Sequence, residues 1–174
     1  MNDDFLIRID EPRIQQTCDA YFKWKDLNTY VKSLVSRGIN MPDAISEPMG
    51  CYCLNLLWNK SSGGDAKSQD GRKIEFKATS NYAYDLSSFG PRCDFDDLVF
   101  LRFDLDLNML FVYDTGVNSE EIKKIPVSKN ATFGDYQKAG KRPHIRIIEK
   151  IIETRNLEPT VIFDIRRGKI IEKG

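Results

Sequence analysis

The 174-residue chain is poor in the side chains that many enzymes rely on, with one histidine, His144, and four cysteines, Cys18, Cys51, Cys53 and Cys93. A single imidazole argues against Ser-His-Asp and Cys-His nucleophiles, HNH-type nucleases and multi-histidine metal sites. Four irregularly spaced cysteines make neither a disulfide framework nor a zinc site, which points to a reducing compartment. Cys51 and Cys53 lie two apart on a predicted helix, so their thiols diverge by about 200° and are expected to pack rather than chelate. No apolar run approaches the ~18 residues of a membrane span, and the opening Met-Asn-Asp-Asp is acidic where a secretion signal is basic. The expectation is a cytoplasmic protein without a membrane partner. Its chemistry must come from carboxylates, lysines or hydroxyls.

Net charge is also absent, with 26 Lys+Arg against 26 Asp+Glu, but the charges are not evenly spread. Residues 136–174 hold ten basic and five acidic side chains, a net +5 that leaves residues 1–135 at −5. A basic end on an acidic body suits a polyanionic partner combined with a separate acidic function. A length of 174 residues is enough for one domain that buries roughly 70% of its unfolded surface.

The hydrophobic pattern predicts helices first and strands later. Apolar side chains recur at helical spacing from Pro12 to Arg37, as one long helix or two short ones ended by Gly38. Asp43 to Trp58 reads as a second helix, capped by Asp43 or Ser46, and Asn59–Gly64 as a flexible turn. Asp65–Ser68 and Arg72–Thr79 then form a hairpin, followed by buried strands at Asp97–Phe103 and Met109–Tyr113. Glu120–Pro126 is a short strand or a turn. Arg142–Arg155 reads as a helix with Pro143 in its first turn, before closing strands at Val161–Ile165 and Lys169–Ile171. This order describes a mixed α/β (α+β) domain. Trp24 and Trp58 are expected in the core or an interface.

The informative stretch is Gly64-Asp65-Ala66-Lys67-Ser68-Gln69-Asp70-Gly71-Arg72-Lys73-Ile74-Glu75-Phe76-Lys77. Strand alternation puts Glu75 and Lys77 on one face and Phe76 on the other. A two-residue Asp-Gly turn would set Asp65 opposite Phe76. A three-residue loop, Gln69-Asp70-Gly71, sets it opposite Glu75 and asks only that Gly71 take a left-handed conformation. The second register is the expected one. Two adjacent carboxylates repel, and a divalent cation is the simplest reason to keep them together. Asp65 and Glu75, with the carbonyl of Phe76 and water, suit Mg²⁺, and Lys77 beside the ion can hold the attacking water and stabilise charge on a phosphate. Such a kit hydrolyses phosphodiesters without histidine. The competing reading makes Asp65, Glu75 and Lys77 ordinary surface charges of a nucleic-acid-binding or interaction module.

Asp65, nine residues, then Glu75-Phe76-Lys77 resembles the signature of the PD-(D/E)XK, restriction-endonuclease-like nuclease superfamily, with Gly64 in place of that motif's proline. Phe133-Gly134-Asp135-Tyr136-Gln137-Lys138-Ala139-Gly140-Lys141-Arg142-Pro143-His144-Ile145 is similar to a stretch of several small bacterial type II restriction endonucleases. There a glutamine, a glycine and Arg-Pro-Arg lead into a helix, and His144 here replaces the second arginine. The resemblance implies a single nuclease domain over 1–174, with a central mixed sheet flanked by helices. Its parts are an N-terminal helical region to residue 40, a catalytic core over 43–165, and a basic helix with closing strands over 136–174. It adds Glu47, at the start of the second helix, as a group that binds a second ion, orients a water or simply complements the helix N-terminus. Lys138, Lys141, Arg142, His144 and Arg146 are the implied DNA contacts, at a helix start where cations and free amides meet phosphate. Ser80 and Asn81, past the motif strand, touch DNA or cap the strand end.

The implied activity is Mg²⁺-dependent hydrolysis of double-stranded DNA at a short palindromic site, leaving 5′-phosphate ends. A homodimer follows from the palindrome, with Tyr21, Phe22, Trp24 and Tyr30 at its interface or in an intramolecular core. A cognate DNA methyltransferase would protect the host. A structure-specific repair nuclease or resolvase on the same core is the alternative.

Overall fold

A computed structural model describes residues 5–61 and 64–174. Residues 62 and 63 of the expected Asn59–Gly64 turn, and the acidic residues 1–4, lie outside that range. The chain runs β1 (Leu6–Arg8), α1 (Glu11–Leu34), α2 (Asp43–Leu54), β2 (Leu57–Asn59), β3 (Ala66–Lys67), β4 (Lys73–Thr79) and β5 (Ser87–Ser88). It continues with β6 (Asp97–Asp104), β7 (Met109–Asp114), α3 (Ser119–Ile122), β8 (Pro126–Ser128), β9 (Ala131–Thr132), α4 (Phe133–Lys138) and β10 (His144–Ile145). A six-residue π-helix, α5 (Ile148–Glu153), then precedes β11 (Val161–Asp164) and β12 (Lys169–Lys173).

Eight strands form one sheet in the order β1-β2-β3-β4-β6-β7-β11-β12. β4 and β6 pair in parallel and the other ladders are antiparallel, so the sheet is mixed. Alternation along β6 divides the core. Val99, Leu101 and Phe103 pack with Ile74 and Phe76 of β4, Tyr21 and Trp24 of α1, and Met49 of α2. Leu98 and Phe100 pack on the other face with Phe89, Phe133, Ile148 and Ile151. Helices therefore cover both faces, which is a restriction-endonuclease-like core. The parallel register pairs Glu75 with Leu98 and Lys77 with Phe100, placing the acid–lysine pair on the second face.

α1 is one helix. Asp10 caps it by accepting from the Arg13 N–H at 3.0 Å. It stops at Leu34, and Gly38 has another duty: a Cβ there would come within 2.2 Å of Asn28 Oδ1, which accepts from the Ile39 N–H. Tyr21 and Trp24 are buried in the intramolecular core, whereas Tyr30, Leu27 and Leu34 stand exposed on the last turns of α1. Cys51 and Cys53 are buried, and burial pushes both thiols upward, as packing residues.

Several element boundaries differ from expectation. α2 ends at Leu54 because Asn55 adopts a left-handed conformation (φ 54°), and Leu57–Asn59, whose first two residues are expected as helix and the third as turn, is strand β2. Neither Asp43 nor Ser46 caps α2: the carbonyl of Pro42 takes the amides of Ile45 and Ser46, and no side chain caps the helix. The three-residue strand β1 is too short to show a period. Glu120–Pro126 holds the last turn of α3, the expected turn at residues 123–125, and the first residue of β8. The predicted helix over Arg142–Arg155 is only half right: His144–Ile145 is a strand paired with Ser87–Ser88, and helical structure begins at Ile147. The apolar alternation Ile145/Ile147 carried that signal but was absorbed into the helical pattern of Ile148, Ile151 and Ile152. α4 was missed although Thr132 and Asp135 form a capping box, their side chains each satisfying the other's backbone amide.

Candidate active site

The hairpin β3–β4 has the three-residue loop. Ala66 pairs with Ile74 and Lys67 with Lys73, the Ser68 amide bonds to the Arg72 carbonyl, and Gly71 sits at φ +86°. The Asp65 amide reaches the Ile74 carbonyl at 3.2 Å, one residue off the register of the paired strands, so Asp65 sits just past the last ladder pair, Ala66–Ile74, alongside Glu75–Phe76 of β4. Ser68 holds the loop by accepting from the Arg72 amide at 3.0 Å and donating to the Asp70 carboxylate.

Asp65 Oδ2 accepts the Phe76 N–H at 2.7 Å, which fixes one oxygen of this carboxylate against the backbone of the neighbouring strand. Burial, then the Glu75 charge, pushes the Asp65 carboxyl up to about 6, against the pull of the Phe76 amide and Lys77. Lys77 Nζ lies 2.6 Å from Glu75 Oε1, both side chains about four-fifths covered. The same ammonium rests 4.8 Å from the centre of the Phe89 ring, a cation–π contact that helps to hold it in place.

Glu47 belongs to α2, and its Oε2 accepts the indole N–H of Trp58 at 2.8 Å. Burial pushes this carboxyl up to about 7 despite that donor, with Asp65, Asp43 and Glu75 adding repulsion. Glu47 and Asp65 thus both feel the charges of Glu75 and Asp43. Among the described residues, however, no three His, Cys, Asp or Glu side chains gather tightly enough to enclose an ion. Asp65 and Glu75 offer the hard oxygen donors that suit Mg²⁺, an ion that keeps several waters and needs few protein ligands. The donor chemistry therefore fits such a cation.

Beside Lys77 a cleft of about 530 Å³ runs along the end of β4, lined by Met41, Asp43, Ser80, Asn81, Tyr84 and Ser88 among others. Ser80 and Asn81 are thereby next to the acid–lysine pair. Thr79 Oγ1 donates to the carbonyls of Asn81 and Tyr84, folding the turn after β4 back on itself. Arg142 joins the cleft wall through its Nε, which donates to Ser88 Oγ at 3.3 Å. His144 is exposed on β10, its Nδ1 3.1 Å from the Arg142 carbonyl, and Arg146 stacks over Tyr84 at 5.1 Å. Lys141 is exposed in the loop before them. Lys138 stands apart, at the C-terminal end of α4, lining a separate depression with Lys123 and Lys124. Lys138, Lys141 and Arg142 do not sit at a helix start: Lys138 ends α4, Lys141 and Arg142 lie in the loop after it, and His144–Ile145 is a strand. Reading of the sequence missed the contribution of Trp58, Phe89 and Asp85, whose roles depend on contacts 11 to 63 residues away.

A mixed sheet covered by helices, with an acid–acid–lysine hairpin opening on a polar cleft, defines the restriction-endonuclease-like class. The family model described as "Bsp6I restriction endonuclease" matches residues 9–154, and the chain belongs to that family. It is 41% identical over 168 residues to the type II restriction enzyme Bsp6I of Bacillus sp. (strain RFL6), covering 96% of this chain and 97% of that one.

Proposed function

We propose that the protein is a type II restriction endonuclease that hydrolyses phosphodiester bonds of double-stranded DNA at a short palindromic site, leaving 5′-phosphate ends. The observation that carries this reading is the three-residue loop that brings Asp65 beside Glu75 and onto the Phe76 amide, with Lys77 tied to Glu75 beside an open cleft. Residues 1–174 act as one nuclease domain. Asp65, Glu75 and the Phe76 carbonyl would hold Mg²⁺, which, when bound, supplies positive charge at the scissile phosphate and lowers the pKa of water.

The chain's own residues do the rest. Lys77 holds the attacking water by hydrogen bonding and balances charge as it grows on the phosphate. Its contact with Glu75 keeps it aimed at the same spot, and Phe89 limits its motion from below. Glu47, restrained by Trp58, orients water at the rim of the site. Ser80, Asn81, Lys141, Arg142, His144 and Arg146 contact DNA along the cleft, and Lys138 reaches flanking phosphate. A palindromic target calls for two copies related by a twofold axis, and the host would need a methyltransferase of matching specificity. No helix among the described residues is long and apolar enough to cross a membrane, and we place the activity in the cytoplasm.

The deciding experiment is incubation of the protein with phage DNA, with and without Mg²⁺, resolved on a gel. Discrete Mg²⁺-dependent bands are expected, and sequencing their ends gives the site. A smear, or cutting confined to branched DNA, would replace this reading with a nonspecific or structure-specific nuclease.

A further inference from the structure

Asp85 carries a carboxyl group that is buried, with 4% of its surface exposed, yet it belongs neither to the acid–lysine group nor to the hydrophobic core. Its carboxylate takes three donors: the Ile147 N–H at 2.8 Å and the Ser87 hydroxyl at 3.0 Å on Oδ2, and the Ile148 N–H at 2.9 Å on Oδ1. The two amides are among those that the start of α5 leaves without intrahelical partners. An anion there is held both by hydrogen bonds and by the helix dipole. A local cap would come from the residue just before the helix. This one arrives from 62 residues away, from the loop that follows the motif strand.

That long reach fastens two functional segments together. Ser87–Ser88 form a ladder with His144–Ile145, the Phe89 amide donates to the Pro143 carbonyl at 3.0 Å, and Arg142 reaches Ser88. The basic segment Arg142–Arg146 is therefore bonded along its length to residues 84–89. At the far end of that same segment the Phe89 ring carries the Lys77 ammonium. A shift of Arg142 or Arg146 against DNA moves Ser88 and Phe89, and with them the seat of Lys77.

We infer that Asp85 is a positioning residue that locks the DNA-reading segment 142–146 to the support of Lys77, so that correct base contacts set the alignment of the lysine and sequence discrimination depends on the lock. This rests on the endonuclease reading above. A bare helix cap would alter how much protein is folded, and so scale cutting at every site equally. A coupling element alters the ratio between sites, because only the correct site uses the lock to align the chemistry.

The test is Asp85→Asn, assayed in single turnover on the enzyme's own site and on duplexes that differ from it by one base pair. Folding is followed by thermal melts, and assays are run well below the melting temperature. The amide puts a donor where a backbone N–H was accepted, loosening the lock while keeping the shape. Cleavage of the correct site is expected to fall by about tenfold or more and cleavage of the one-base variants by much less, so the discrimination ratio drops about tenfold. If Asp85→Asn does not fold, Ser87→Ala, which keeps both amide bonds and removes one donor, is expected to lower the ratio about threefold. An unchanged ratio alongside a lowered melting temperature overturns the inference and leaves Asp85 as a cap alone. If the wild-type protein cuts without discriminating between these duplexes, the endonuclease reading and this inference fall together.

Discussion

The indole N–H of Trp58, on β2, donates to Glu47 Oε2, on α2, at 2.8 Å, bridging the helix and the strand that leads to the motif hairpin. It is the one interaction among those described that lowers the raised pKa of Glu47, opposing burial and three neighbouring carboxylates. Trp58→Phe leaves a smaller aromatic ring beneath Arg13 and removes the donor. The Glu47 carboxyl should then rise above 7, and the acid limb of the cleavage rate should move up by about half a unit to one unit. A pH profile of single-turnover cutting checks this, with little change expected on the plateau.

The carboxylates at the site should make the metal-free protein less stable at alkaline pH. Asp65 near 6 and Glu47 near 7 both lie above their ordinary unfolded values of about 4. The folded state therefore binds protons that the unfolded state has released, and stability falls as pH rises from about 4 to 7. Discounted for partial exposure, the loss is on the order of 1 kcal/mol, or about 2–4 °C in Tm. Glu47→Gln should flatten this dependence. Melts in chelator at pH 5 and pH 8 measure it.

Asp65→Asn keeps an oxygen for the Phe76 amide, so the fold should survive while the proposed cation site loses one of its two carboxylate charges. Cutting is expected to fall by about a thousandfold or more. Mg²⁺ is expected to raise the Tm of the wild-type protein at pH 8, and that rise should be absent in the variant. Loss of activity with the Mg²⁺ response intact would remove Asp65 from the ligand set.

Gly71→Ala tests the register. Nothing lies within 4 Å of where its Cβ would sit, so the cost comes from the +86° φ alone, about 1 kcal/mol. Gly71→Asn, which tolerates that conformation better, should cost less. Urea melts give the stability. A larger loss of cutting than of stability is expected, because a change of loop would move Asp65 away from Glu75.

How much was legible in advance can be argued from these same residues. The hairpin register needed only the side-chain alternation of Ile74-Glu75-Phe76-Lys77 and the tolerance of Gly71 for positive φ, both local properties. The long amphipathic run of α1 and the buried strands β6 and β7 were likewise local. Short elements failed. Leu57–Asn59 and His144–Ile145 are strands because β1 and β5 lie alongside to take their hydrogen bonds, and two or three residues carry no period of their own. The basic segment was identified, but its placement at a helix start was wrong because Pro143 bonds across to Phe89.

The sequence by itself determined which side chains could do chemistry and which of them share a strand face, since alternation and turn geometry act over a few residues. Tertiary structure decided what stands around them: Trp58 on Glu47, Phe89 under Lys77, and Asp85 on the backbone amide of Ile147. Those contacts join residues 11 to 62 positions apart in the chain. Folding of the sheet brings them within 3 to 5 Å, and nothing in the local sequence encodes that distance.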